Sequence, residues 1–242
     1  MRLLIVADIH GNWPALEAVL NAERKIDGII CLGDIVNFGP HPVACVESIQ
    51  DRGMPGWIVR GNHDHAVGFG VPPDCADKDR EMALSLQRFT QSQLTASAVQ
   101  YLRSLPTIAR GVLEQTRFVL CHAVPSDPLG GYLGPDDFAR WEEEVILAGS
   151  PHFLLVAHTH RPFVRLVRDT FVVNPGSVGQ PQDRDPIASY ALWNSGAVDL
   201  LHAAYDKKSV LKDLEGCAAP SVVAKLRHIF DHGSDRTSGW FR

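Results

Sequence analysis

The chain has 242 residues, 45% of them hydrophobic and 21% charged, with a formal net charge of −5. That length buries one sizeable core, so a single domain over 1–242 is expected. The acidic balance gives no global attraction to nucleic-acid phosphates or anionic membranes, and no apolar run approaches the roughly 18 residues of a membrane span.

Five cysteines, Cys31, Cys45, Cys75, Cys121 and Cys217, are odd in number and widely spaced, without a CxxC pair. They suggest neither a disulfide framework nor a zinc knuckle. The apolar start Leu3-Leu4-Ile5-Val6-Ala7 is stopped by Asp8, too early for the core of a signal peptide. A reducing cytoplasm is the expected location.

In chain order, Leu3–Val6 reads as a buried strand ending at Asp8-Ile9-His10. Pro14 opens a helix carrying Leu16, Val19 and Leu20 at helical spacing. The strand Ile29–Leu32 then ends at Gly33-Asp34. A helix over 42–51 and a strand Trp57–Val59, ending at Gly61-Asn62-His63-Asp64, complete a βαβαβ alternation. Residues 66–76, with three helix and strand breakers, read as a loop over the crevice. Helices are expected over 77–95 and 96–104, a cap-like insertion of about 77–105, the second ending before Pro106.

Arg117–Cys121 is a further strand, with His122 behind it. An acidic helix follows over 136–147, its Glu142-Glu143-Glu144 run expected as a solvated face. Phe153–Val156 is the fourth strand with ligands at its end, Ala157-His158-Thr159-His160. Beyond it, runs at 163–168, 171–173, 188–193 and 197–201 read as a β-meander packed as a second sheet on the first. Its aromatics, Phe163, Phe171, Tyr190 and Trp193, are expected in the core. A helical tail is expected over about 206–242, with a frayed end.

The carboxyl ends of parallel strands face one crevice, so side chains placed there from distant parts of the sequence can meet. Asp8 and His10, one residue apart, project to one side, and His158 and His160 repeat that spacing. Two aspartates, one asparagine and four histidines form an oxygen and imidazole set without thiolates. It disfavours structural zinc and suits Mn, Fe, Co, Ni or catalytic Zn. Two such ions about 3.5–4 Å apart can activate a bridging water and neutralise charge on a phosphoryl group. A single Asp-x-His says almost nothing; the ordered set, each member at a strand end, is specific.

The order Asp-x-His, Gly-Asp, Gly-Asn-His-Asp, His and His-x-His resembles the calcineurin-like metallophosphoesterases. The stretch Gly33-Asp34-Ile35-Val36-Asn37-Phe38-Gly39-Pro40, Asn174-Pro175-Gly176-Ser177 and Gln180-Pro181 resemble their small YfcE-like bacterial and archaeal branch. Over residues 3 to about 200 the resemblance implies an α/β fold, a four-layer α/β/β/α sandwich of two mixed sheets flanked by helices. It implies Asp8, His10 and His160 as ligands of a first divalent metal, and Asn62, His122 and His158 as ligands of a second. Asp34 bridges the two. His63 corresponds to the non-ligand catalytic histidine, hydrogen-bonding a phosphate oxygen or protonating the leaving group, with Asp34 orienting it. Mn is the expected metal, with Fe, Ni, Co, Zn or Mg as alternatives.

One departure stands at Ala157, where the family often has glycine; a subtle backbone effect is expected. His41 and His65 have no place in the pattern and read as surface histidines. Arg184 reads as a loop charge, with contact to a substrate phosphate as the sharper alternative. Asp64 is expected to order its loop through backbone hydrogen bonds. Asn174–Ser177 is either a tight turn or a supplier of N–H groups to the site.

The function expected is a phosphodiesterase acting on a small phosphoester through a metal-bridging hydroxide. Alternatives are a phosphomonoesterase or protein phosphatase of the same fold, or a scaffold like the retromer subunit that resembles this family. That subunit lacks the catalytic histidine that this chain retains as His63. Long nucleic acid is disfavoured by the absence of a basic stripe, no membrane partner is expected, and the resemblance leaves room for a homo-oligomer.

Overall fold

A computed structural model describes residues 1–73, 80–181 and 187–232. Two five-stranded mixed sheets stack face to face. One has the order β10-β9-β1-β2-β3, built from β1 (Arg2–Val6), β2 (Gly28–Cys31), β3 (Gly53–Ile58), β9 (Ala188–Asn194) and β10 (Ala197–Ala203). The other has the order β4-β5-β6-β8-β7, from β4 (Ile108–Leu113), β5 (Thr116–Cys121), β6 (Phe153–Leu155), β7 (Phe163–Val167) and β8 (Thr170–Asn174).

The period-two alternation of the strands explains the layers. Leu3, Ile5, Ile30 and Leu32, together with Trp193 of their own sheet, point inward onto Phe118, Leu120, Phe153 and Leu155 of the facing layer. Their neighbours Leu4, Val6, Ile29 and Cys31 point outward onto Leu16 and Val19 of α1 (Trp13–Ala22) and Val46 and Ile49 of α2 (Pro42–Arg52). On the far side, Val119, Cys121, Leu154 and Val172 pack under Trp141 and Val145 of α6 (Phe138–Leu147). The central strands are buried on both faces, which is why they read as continuous apolar runs.

Three further helices, α3 (Asn62–Phe69), α4 (Arg80–Gln93) and α5 (Ala96–Ser104), flank the first sheet. The tail contributes α7 (Lys207–Leu214) and α8 (Pro220–His232). Val210, Leu211, Leu214, Val222, Val223 and Leu226 of this pair join Met82 and Leu86 of α4 around the ring of Phe38. Residues 77–79 and 233–242 of the expected helical segments lie outside the described residues.

Four expectations are corrected. Of the four strands with ligand clusters, three share a sheet, but β6 lies in the other, where it pairs in parallel with β5 and β8. The runs after residue 162 do not form one meander: β7–β8 extend the sheet of β6, while the β9–β10 hairpin crosses to the other sheet, where β9 pairs with β1. Residues 66–69 continue α3, because Asp64 Oδ2 accepts the N–H of Gly61 at 3.1 Å and the turn ends only at left-handed Gly70. The acidic run of α6 is not all solvated, since Glu144 is buried and accepts the N–H of Ser126 at 2.9 Å. Strand β4, unmarked in the sequence reading, is an edge strand whose Arg110 and Val112 face solvent.

Among the aromatics of the last four strands, Phe163, Tyr190 and Trp193 are buried, whereas Phe171 remains 39% exposed while stacking on Phe153. Among the described residues no helix is long and apolar enough to cross a membrane.

Candidate metal centre

The strand ends of both sheets meet at one rim. Asp8 N donates to Gly33 O at 3.0 Å and His10 N to Asp34 O at 2.9 Å, tying the ends of β1 and β2 together. Across the sandwich, Ala157 N donates to His122 O at 2.7 Å, and His122 Nδ1 bonds Leu32 O at 2.8 Å. That last bond joins the two sheets at the rim and leaves Nε2 of His122 pointing into the centre.

The side chains converge there. His10 Nε2 lies 3.2 Å from His160 Nε2, and Asp8 Oδ1 lies 3.5 Å from His160 Nε2 and 3.9 Å from His122 Nε2. Asp34 Oδ2 lies 3.3 Å from His122 Nε2 and 3.8 Å from His10 Nε2. Asn62 Oδ1 is 3.0 Å from His122 Nε2, and the His158 ring centroid is 5.1 Å from that of His122. Two sets can therefore each hold a cation, Asp8–His10–His160 and Asp8–Asp34–His122. Both aspartates sit between the histidines of the two sets.

Strain marks the same residues. Asp8, His10, Asp34, His158 and His160 all have left-handed backbone, at φ 51°, 50°, 53°, 65° and 55°. Each such residue costs on the order of 1 kcal/mol or more, and such outliers gather at functional sites. Ala157 is not among them, so its methyl group takes no left-handed strain at the position where glycine is common.

Electrostatics demand a positive charge. Both oxygens of Asp8 are buried with no hydrogen-bond partner, and burial pushes that carboxyl well above the usual range. Burial likewise depresses His158 to about 3 and His160 to about 4, so both offer neutral lone pairs at neutral pH. Burial alone would depress His122 too, but Asp34 and Asp8 beside it raise it to about 9. Orphaned carboxylate oxygens facing neutral imidazole nitrogens are a donor set that fits a divalent cation.

The surrounding residues explain the rigidity. Asp64 orders its loop as expected, its Oδ1 accepting Ile35 N at 2.8 Å and Val36 N at 3.2 Å. Asn174 and Ser177 act as braces: Asn174 Nδ2 donates to Ala157 O at 2.9 Å and to Thr159 Oγ1 at 3.2 Å. Ser177 Oγ donates to Asp8 O at 2.8 Å, and Gly179 N reaches the same carbonyl at 2.9 Å. His160 is oriented by Gln180 O at 2.7 Å from Nδ1. Asp34 Oδ1 accepts the backbone N–H of His63 at 2.8 Å. The ring nitrogen Nδ1 of His63 is 2.9 Å from Nδ2 of Asn37, which the sequence shows within the Gly33–Pro40 stretch but to which it gives no role of its own.

His41 and His65 are held outside the cluster. His41 pairs with Asp213 of α7 at 2.9 Å, and His65 stacks on Phe69 at 4.6 Å. Arg184 lies outside the described residues.

The fold and this rim together define a metal-dependent phosphoester hydrolase. The chain belongs to the calcineurin-like phosphoesterase superfamily, whose domain model matches residues 1–196. It is 32% identical over 232 residues to the uncharacterized protein MJ0912 of Methanocaldococcus jannaschii, covering 88% of this chain and 91% of that one. Phosphodiesterase YfcE of Escherichia coli is 26% identical over 211 residues, covering 83% and 91%. A metallophosphoesterase structure from Sphaerobacter thermophilus superposes with a TM-score of 0.77 at 31% identity, covering 94% of this chain and 98% of that one.

Proposed function

We propose that the chain is a dinuclear-metal phosphodiesterase for a small phosphoester. The observation that carries this reading is the pair of buried carboxylates, Asp8 and Asp34, set among four imidazoles with both Asp8 oxygens unpartnered. In this reading Asp8, His10 and His160 hold one cation and Asn62, His122 and His158 the other, with Asp34 shared. When bound, the cations supply Lewis acidity to the phosphoryl oxygens and lower the pKa of water. Mn is the proposed metal, with Fe, Co, Ni, Zn and Mg as alternatives for analysis of the isolated protein.

His63 stands beside the cluster, its ring centroid 5.2 Å from that of His10, and assists departure of the leaving group. Diester preference is supported by the similarity to a relative named phosphodiesterase. Purified protein with Mn²⁺ is expected to hydrolyse bis-p-nitrophenyl phosphate faster than p-nitrophenyl phosphate. No turnover with any divalent metal overturns the reading, as does full activity in His10→Ala; a monoester preference replaces diesterase by monoesterase.

A further inference from the structure

Asn62, His65 and Phe69 of α3 fall at helical spacings of three and four and so share one face. That face starts beside the metal centre and, at the helical rise per residue, runs about 10 Å along the axis to Phe69. His65 and Phe69 stack ring on ring at 4.6 Å, and Phe69 keeps 46% of its surface exposed. Two guanidinium groups gather over the same ring, with Cζ of Arg60 4.9 Å and Cζ of Arg103 5.7 Å from its centroid. Each arginine spends a nitrogen on a helix end: Arg60 Nη1 donates to Arg103 O at 2.7 Å, and Arg103 Nε donates to Gly68 O. The other N–H groups of both forks are left over, and Arg60 Nε is buried without a partner. Among the described residues no carboxylate forms an ion pair with either arginine. On a chain of net charge −5, two uncompensated positive charges are thus held at one spot, where an anion between them would relieve their repulsion.

We propose that Arg60 and Arg103, gathered around Phe69, form an anion subsite that holds a second phosphate of the substrate, carried about 10 Å from the phosphate cleaved at the metal centre. The proposal rests on the phosphoester-hydrolase reading above. A guanidinium fork pairs with two phosphate oxygens at once, so two forks at one spot suit a phosphate. The exposed edge of Phe69 offers apolar contact to the carbon chain that joins the two phosphates. The substrates that fit are bisphosphorylated compounds, with one phosphate in the ester that is cleaved and the other at the far end. Singly charged diesters such as bis-p-nitrophenyl phosphate engage the metal centre alone.

The test uses p-nitrophenyl phosphodiesters whose second alcohol is an unbranched alkyl chain ending in phosphate, compared with the same esters ending in hydroxyl, over a series of chain lengths on the Mn²⁺-loaded protein. At the length that spans the gap, the wild type is expected to favour the phosphate-ended ester in kcat/KM by on the order of tenfold to 100-fold, as charge-assisted hydrogen bonds supply. Arg60→Gln is expected to lose about tenfold of that preference, through KM. A role in capping helices alone would slow both esters alike; an unchanged preference in the variant overturns the proposal, as does a wild type without preference at any length. Calorimetry needs neither turnover nor a variant that folds. The Mn²⁺-loaded wild type is expected to bind an unbranched alkanediol bisphosphate about tenfold or more tightly than the matching monophosphate, and a crystal of the complex to show the second phosphate between Arg60 and Arg103. Equal affinities, or a second phosphate held elsewhere, overturn the proposal. If no ester turns over with any metal, the phosphoesterase reading falls, and the calorimetry still decides the subsite.

Discussion

The α-carbon of Gly61 packs against the carboxylate of Asp34 so closely that a methyl group there would overlap Oδ1 and the Asp34 backbone nitrogen. Asp34 faces the imidazoles of both His10 and His122, so its position matters to the whole cluster. Gly61→Ala is expected to displace it while leaving the buried core of the sheets intact. A displacement of about 1 Å can cost on the order of 100-fold in rate. Steady-state kinetics with Mn²⁺, alongside metal analysis, would measure it; wild-type kcat/KM in the variant contradicts the role given to this contact.

Asp8 offers a test with opposite signs in two states. Its buried carboxylate oxygens have no donor, so in the metal-free protein the charge opposes folding. Asp8→Asn is expected to raise the melting temperature of the metal-free protein and to abolish the rise that the wild type shows with added Mn²⁺. At metal concentrations near 100 times Kd that rise corresponds to about 2.7 kcal/mol. Differential scanning calorimetry with and without metal reads both. An unchanged metal-induced shift in the variant rejects Asp8 as a ligand.

Protonation of two ligands can be followed directly. An ordinary histidine becomes charged below about pH 6.5, whereas burial holds His158 at about 3 and His160 at about 4. At pH 5 both are therefore expected to remain neutral in the folded metal-free protein. Titration of ¹³C/¹⁵N-labelled histidines would show it. Protonation of both near pH 6.5 contradicts the desolvated site.

Asn174 braces the turn that carries His158 and His160 through Ala157 O and Thr159 Oγ1. Asn174→Ala leaves buried acceptors unpaired, at a cost of about 1–3 kcal/mol, and is expected to lower kcat more than it raises KM because the ligands lose orientation. Urea unfolding and kinetics together test this. A stability loss below about 0.5 kcal/mol would mean that water replaces the amide.

The strand-end clusters were legible because each ligand group follows a run of four or so apolar residues, and burial on both faces imposes that pattern. Helix α5 was legible in full, since Thr95 caps it and the residue before Pro106 cannot continue it. Strand β4 was not, because an edge strand with one solvent face carries Arg110 and Gly111 where a central strand would carry β-branched residues. The pairing of Asn37 was not legible for a different reason: an asparagine in a loop has no period or partner in sequence, and its partner His63 lies 26 residues away.

By itself the sequence determined the kinds of ligand, their order, and the strands that carry them, because hydrophobic periodicity and donor chemistry are local properties. The tertiary structure alone decided which sheet each strand joined, as in the crossing of β9 and β10 to β1. It also decided which oxygens were left without donors and that Asn37 meets Nδ1 of His63. Strand pairing and hydrogen-bond direction depend on partners brought together from far along the chain, and no local signal encodes them.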